Sequence, residues 1–326
     1  MRAIQIDRHG GPDVLRLVDL PVPEPGPGQV RVRHRAAGIN FIDTYHRSGL
    51  YPTPLPLVLG VEGAGVVEAV GAGVTHVAPG DRVAYAARAP GSYAEARVLD
   101  AIPVARLPDA IDFPRAAAMM LKGLTVQYLL RRTLPQGGLA PGDPIVWHAA
   151  AGGVGLIACQ WARALGLVLI GTAGSPAKCE LARAHGAAHC IDYTREDLVA
   201  RVRELTGGRG VKVVYDGVGK DTWQRSLDCL APLGLMVSFG NASGPPAPVD
   251  LAQLMQKGSL YVTRPTLGTH QATRQAAQAM ADDLFAMVAS GKVRIDPPRS
   301  YPLEDAARAH RDLEGRHTTG ASVLVM

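Results

Sequence analysis

Three textures succeed one another along the chain. Over residues 1–122 apolar and polar positions alternate in short runs at 2–7, 29–36, 65–70, 82–86 and 93–99, divided by Gly and Pro clusters such as 21–28. A period of two between such turn signals predicts strands, here in a barrel-like or sandwiched unit. The pattern becomes helical over 103–122, through Ala116-Ala117-Ala118-Met119-Met120. From 123 to 262, apolar runs at 145–149, 167–172, 189–192, 211–216 and 235–239 alternate with amphipathic stretches near 156–165, 177–185, 195–206 and 221–230. Strands alternating with helices of this length imply right-handed crossovers and a parallel sheet, the doubly wound α/β fold. Residues 267–326 are mixed again: a helix over 273–290 stopped by Gly291, a β run at 292–295, a helix at 304–313 and a last strand at 321–325. The simplest topology returns this tail to the first unit. A strand–helix domain, 123–266, is then inserted into a mainly β domain formed by 1–122 and 267–326, with a cleft between the two bodies.

The first apolar strand of the middle domain runs into Ala149-Ala150-Ala151-Gly152-Gly153-Val154-Gly155, and a helical pattern follows at once. Strand, glycine-rich turn and helix in succession are what a dinucleotide pyrophosphate requires. Gly152 lets the backbone approach the phosphates, and Gly155 lets the helix pack tightly on the strand. N–H groups and the dipole at the helix start favour negative charge. The turn, Ala150-x-Gly152-x-x-Gly155, has alanine at its first position. A ligand-free corner would also use glycines, and it is the flanking pattern that argues for a nucleotide. In NAD-binding versions of this fold an Asp or Glu about 20 residues on bonds the ribose 2′-hydroxyl. Here that place reads Thr172-Ala173-Gly174-Ser175-Pro176, with no carboxylate to repel a 2′-phosphate, which favours NADP(H). Ser175 as N-cap and Pro176 at the first helical position open another helix N-terminus, and Lys178 lies one turn in.

Composition adds limits. At 326 residues, with 47% apolar and 19% charged, the chain has material for two domains and is not disordered. The net charge of +5, without a dense Lys/Arg block, suits an anionic cofactor and gives no case for nucleic acid. Cys159, Cys179, Cys190 and Cys229 form no C-x-x-C pair, which argues against structural zinc and a disulfide framework and suits a reducing cytosol. The start reads as a strand rather than a secretory signal, and no run of about 18 apolar residues marks a membrane span.

The first unit contains Ala36-Ala37-Gly38-Ile39-Asn40-Phe41-Ile42-Asp43, Leu59-Gly60-Val61-Glu62-Gly63-Ala64-Gly65, Gly71-x-Gly73-Val74 and Pro79-Gly80-Asp81-Arg82-Val83. Here the chain resembles the medium-chain dehydrogenase/reductase superfamily. In its zinc alcohol dehydrogenases the place of Asn40 holds a cysteine ligand and that of Val61 a histidine ligand. An amide and an isopropyl group do not hold Zn²⁺ in a tetrahedral N/S site, and the cysteines of the structural zinc lobe are missing too. Asn40–Tyr45, Ser48–Pro52, Leu121–Thr125, His148–Gly155, Ser226–Leu230 and Gly258–Pro265 narrow the likeness. Together they resemble the bacterial, zinc-free NADPH:quinone oxidoreductases of the zeta-crystallin group, almost end to end.

The resemblance implies a Rossmann domain inserted into a GroES-like catalytic domain, in a cytoplasmic homodimer that reduces quinones with NADPH. Gly152, Gly153 and Val154 would lie at the pyrophosphate. Gly174, Ser175, Lys178 and Tyr193 would hold the 2′-phosphate end, and Phe239 and Gly240 would line the nicotinamide side. Thr125 would sit at the edge of the cofactor site and Arg316 would reach the phosphates. Asn40 and Tyr45 are the expected catalytic pair, facing nicotinamide and quinone, with a phenol or water supplying the proton. No metal is expected. The edge strand 259–263 would pair across the dimer. Gly217 departs from the group, which carries serine there. Two other readings share these residues: reduction of activated C=C bonds in enones or enoyl thioesters, and a non-catalytic NADPH-binding crystallin-type protein, with RNA binding the weakest option. His46 and His148 offer acid–base chemistry, but the sequence shows no partner for either, and His148 reads as an interior histidine.

Overall fold

The computed structural model describes residues 1–315 and 318–326, and the chain divides into two units. The first comprises Met1–Leu124, His270–Ala286 and Ile295–Met326; the second comprises Thr125–Thr269 and Met287–Arg294.

Six parallel strands form the second unit's sheet, in the spatial order His189–Asp192, Val168–Ala173, Pro144–Trp147, Val211–Asp216, Leu230–Ser238, Tyr261–Thr263. Ile145, Val146, Trp147, Val213, Val214 and Tyr215 are all fully buried, so both faces of the central strands are covered. That is why these strands read as continuous apolar runs rather than as alternation. Val146, Ile170, Ile191, Val214 and Met236 from five of the strands pack with Leu198, Val202 and Leu227 into one core. From Pro144–Trp147 the chain steps outward twice, then crosses back to Val211–Asp216 on the other side. The strand order therefore reverses between these two strands, the place where open parallel sheets bind ligands.

In the first unit the main sheet runs Arg299–Pro302, Ser322–Val325, Gln29–Ile39, Glu62–Val70, Arg82–Ala86, Ala105–Arg106, and Ala96–Asp100 also pairs with Gln29–Ile39. The last strand lies antiparallel to Gln29–Ile39, with Val323 opposite Gly38, so the tail completes the sheet begun near the other end of the chain. Among the described residues no helix is long and apolar enough to cross a membrane.

Two expectations about elements are corrected. The helix expected over 103–122 begins at Phe113 and runs to Arg131, while Ala105–Arg106 is a strand. Pro103 and Pro108 interrupt any earlier start, and Asp112 supplies the cap, its carboxylate accepting the Arg115 N–H at 2.8 Å. The β run expected at 292–295 is no strand. Val293 is fully buried with its N–H on the Met287 carbonyl at 2.9 Å. The N–H and C=O of Arg294 are taken by the side-chain amide of Gln160, at 2.8 and 3.1 Å, in place of a neighbouring strand. The strand starts only at Arg299, past Pro297-Pro298. A helix at Phe41–Ser48, for which the sequence raised no expectation, follows Asn40 and contains Tyr45.

Candidate active site

The residues expected at the dinucleotide follow the C-terminal ends of strands. Gly152–Val154 follow Pro144–Trp147, Gly174–Lys178 follow Val168–Ala173, Tyr193 follows His189–Asp192, and Phe239 and Gly240 follow Leu230–Ser238. Gly152 caps the helix Gly153–Ala164, whose first internal bond runs from the Leu156 N–H to the Gly152 carbonyl at 2.9 Å. The N–H groups of Gly153, Val154 and Gly155 thus have no acceptor inside the helix. A Cβ on Gly152 would meet only the Ala149 carbonyl, at 3.2 Å, and otherwise project into open space. A Cβ on Gly155 would sit 2.5–2.6 Å from the backbone of Ala149 and Ala150, so this glycine sets how closely helix and turn pack. The turn also holds Ala149 at φ 53°, a left-handed conformation costing about 1–2 kcal/mol outside glycine.

At the next strand end, Ser175 Oγ accepts the Lys178 N–H at 3.3 Å and Pro176 opens the helix Pro176–Ala184. Tyr193 leans over Gly174, where a Cβ would lie 2.6 Å from the phenol oxygen. Gly174, Ser175, Lys178 and Tyr193 are thereby gathered at one corner. Phe239 packs 5.5 Å from the Trp147 ring, centroid to centroid, and a Cβ on Gly217 would come within 3.0 Å of the Phe239 ring. Glycine at 217 makes room for that ring. A Cβ on Gly240 would strike the Gly217 carbonyl, so the two strand ends touch through backbone. Thr125 is buried and hydrogen-bonded to the phenol of Tyr128, whose pKa burial raises to about 12. His148 is buried. Ser226 donates to Asp216 at 2.8 Å, so His148 Nε2–H donates to Ser226 at 2.9 Å and Nδ1 accepts the Thr172 hydroxyl at 3.0 Å. With both nitrogens occupied and burial lowering its pKa, it is an interior histidine, not an acid–base group.

In the first unit, Asn40 stands between the strand Gln29–Ile39 and the helix Phe41–Ser48. Its backbone N–H donates to Asp43 Oδ2 at 2.8 Å, in a capping box. Its side-chain Nδ2 donates to Glu62 Oε2 at 2.8 Å, and its Oδ1 accepts from Lys122 Nζ at 2.7 Å. Glu62 is fully buried, and its other oxygen accepts the Leu121 N–H at 2.8 Å. Tyr45 is buried with its ring edge-on to Tyr51 at 5.2 Å. His46 Nδ1 bonds Thr53 at 2.9 Å, and burial lowers its pKa. Beside Asn40, Asp43 is pushed up to about 7, chiefly by burial. Tyr93 donates to Asp43 Oδ2 at 3.0 Å, while Oδ1 has no partner among the described residues. His310, driven down to about 3 by burial, donates from Nε2 to Tyr93 at 3.1 Å and accepts from Arg47 at 2.9 Å. Arg47 grips Glu314 with two bonds of 2.7 and 3.0 Å. This series of hydrogen bonds passes through an arginine, which does not release its proton, so it fastens helix Phe41–Ser48 rather than conducting protons.

Residues 26–109 match the family described as alcohol dehydrogenase GroES-like domain, and residues 153–282 that described as zinc-binding dehydrogenase. The quinone oxidoreductase of Pseudomonas aeruginosa is 58% identical over 325 residues, covering 99% of each chain. The chain belongs to the quinone oxidoreductases of the medium-chain dehydrogenase/reductase superfamily. Crystal structures of two such oxidoreductases superpose on it, each with a TM-score of 0.97. That from Pseudomonas syringae is 56% identical, covering 100% of this chain and 99% of the other. The Escherichia coli enzyme, complexed with NADPH, is 52% identical, covering 100% of both. The α/β fold, a Rossmann domain with a GroES-like one, is therefore that of the family.

Zinc, which one family description implies, does not fit these residues. Asn40 is tied to an ammonium through its only side-chain oxygen, and the Val61 side chain offers no donor atom. Among the described residues no group of three His, Cys, Asp or Glu side chains is placed to hold a metal. Arg316, expected at the cofactor phosphates, lies outside the described residues. Glu62 and Lys122 were missed as site residues. The available signal was a lone lysine inside the apolar run 116–126, and a glutamate between Val61 and Gly63.

Proposed function

We propose that the protein reduces quinones with NADPH, through hydride transfer that needs no metal. The observation that carries the cofactor choice is the corner after Val168–Ala173. There a capped helix start, Lys178 and the phenol of Tyr193 over Gly174 suit a 2′-phosphate, in a turn without a carboxylate. The relatives named quinone oxidoreductase and the NADPH complex of one of them support the same reading. Bound NADPH supplies the hydride; the quinone takes it up with one proton. Gly153 and Val154 hold the pyrophosphate with backbone N–H groups and the helix dipole, and Gly152, whose own N–H is taken by the Ala149 carbonyl, lets it come close. Ser175, Lys178 and Tyr193 bind the 2′-phosphate, Phe239 and Gly240 flank the nicotinamide, and Thr125 borders it. Asn40 and Tyr45 hydrogen-bond the quinone, and the Tyr45 phenol or water provides the proton. An electron-poor quinone needs orientation more than activation.

Stopped-flow NADPH oxidation with a naphthoquinone should exceed that with an α,β-unsaturated ketone, and should exceed NADH oxidation at equal concentration. Faster reduction of the enone would replace the quinone reading with C=C reduction. No turnover with either acceptor would leave a binding protein.

A cytoplasmic homodimer completes the proposal. Tyr261–Thr263 is the sheet's edge strand, and Leu233, Leu251, Met255, Tyr261 and Val262 around it are exposed. An unpaired edge flanked by apolar side chains suits pairing with a second copy. Val262→Arg is expected to give a monomer in sedimentation velocity where the parent chain is a dimer. A monomeric parent would remove the dimer.

A further inference from the structure

Lys122 and Glu62 form a buried ion pair organised around a third side chain. Lys122 is 5% exposed and Glu62 0%. Their direct N–O separation is 3.3 Å, yet each lies closer to the Asn40 amide, at 2.7 and 2.8 Å. Charges present only to neutralise each other would approach one another most closely. Here the ammonium's shortest bond is to an amide oxygen, and its remaining donors reach Glu62 at 3.3 Å and the Ile39 carbonyl at 3.4 Å. All three of its protons are used, so Lys122 has none for a substrate. Glu62 is held from behind by the Leu121 N–H, and Gly38 makes room for it, since a Cβ there would strike the carboxylate and the Ala117 carbonyl.

An ammonium only donates and a carboxylate only accepts. The pair therefore fixes which end of the Asn40 amide is oxygen and which is nitrogen: a flipped amide would face N–H against ammonium and C=O against carboxylate. One Nδ2–H remains uncommitted by this pair. We infer that Lys122 and Glu62 are positioning residues that lock the Asn40 amide with this N–H directed to the acceptor oxygen, where negative charge grows as hydride arrives. This rests on the reading of Asn40 as a quinone contact. A donor fixed in advance gives its stabilisation without reorganisation during the reaction, which a freely turning amide does not.

The test uses Asn40→Ala, Lys122→Met, the two combined, and Lys122→Met with Glu62→Gln, which removes both charges of the pair. Single-turnover NADPH oxidation by naphthoquinone, equilibrium binding of the naphthohydroquinone, NADPH affinity and melting temperature are read for each. Asn40→Ala should slow hydride transfer about 100-fold, the usual scale for losing one such donor. Lys122→Met, alone or with Glu62→Gln, should slow it about tenfold or more and weaken hydroquinone binding, with NADPH affinity unchanged. In the Asn40→Ala background Lys122→Met should add less than about twofold, because the group it positions is gone. The same further loss in that background, or a Lys122/Glu62 pair whose neutralisation lowers only the melting temperature, would overturn the inference and leave Asn40 in place. If Asn40→Ala is itself silent, the quinone contact fails first and the inference with it.

Discussion

Gly174→Asp is expected to turn the cofactor preference from NADPH to NADH. The new carboxylate stands at the end of Val168–Ala173, where it repels a 2′-phosphate and accepts a hydrogen bond from a 2′-hydroxyl. Its Cβ comes within 2.6 Å of the Tyr193 phenol oxygen, the tip of a side chain that is 39% exposed and has solvent to turn into. The fold therefore tolerates the change. A like-charge encounter in a partly enclosed corner costs several kcal/mol. At about 3 kcal/mol, kcat/KM with NADPH falls about 100-fold, while kcat with saturating NADH stays within a few-fold of the parent value. Steady-state kinetics with both cofactors checks this. An unchanged NADPH-to-NADH ratio would place the 2′-phosphate elsewhere and remove Ser175, Lys178 and Tyr193 from its binding.

Asp43→Asn is expected to make the protein more stable than its parent as pH rises from 5 to 7. The Asp43 carboxyl titrates near 7 in the folded chain, against an ordinary 3.8, because it is buried. Asn40 and Tyr93 donate to it and Lys122 lies near, all favouring the carboxylate; Glu62 opposes it, and burial outweighs the donors. Between those two values the folded chain holds a proton that the unfolded chain has released. Stability from this group is thus full below about pH 4, falls with rising pH, and is lost once pH passes about 7. The slope is about 1.4 kcal/mol per pH unit, so the window from pH 5 to 7 is worth roughly 2–3 kcal/mol. Asparagine keeps an oxygen for the Asn40 and Tyr93 donors and does not titrate. The difference in unfolding free energy between variant and parent, from urea melts at pH 5, 6 and 7, should grow by that amount in favour of the variant. A difference independent of pH would mean that Asp43 stays ionised throughout.

The strand ends and turns of the second unit were largely legible because their determinants are local. Glycines 152 and 155 shape one turn, and Gly174, Ser175 and Lys178 occupy another, so each feature lies within a few residues of the strand that presents it. Strands buried on both faces also leave an unmistakable apolar run. The surroundings of Asn40 were less legible. In Phe41–Ser48 the residues Asp43, Thr44, Tyr45, His46 and Arg47 are all buried, which hides the polar face by which a short helix is usually read. Their partners are remote: Lys122 lies 82 residues from Asn40, and Glu314 lies 267 from Arg47. The false β run at 292–295 failed for a related reason. Its alternation was real, but Gln160, 134 residues away, took the backbone groups that a neighbouring strand would have used.

The chain's letters alone determined the order of strands and helices in the parallel sheet, the glycine turn and the missing carboxylate. These follow from steric and hydrogen-bonding rules that act over one or two turns of chain. Folding in three dimensions decided what surrounds Asn40. A buried ammonium and a buried carboxylate are each costly alone, and become tolerable only when distant segments bring them to a common amide. No spacing rule encodes that meeting, because it exists only after the sheet of the first unit has closed around Gly38.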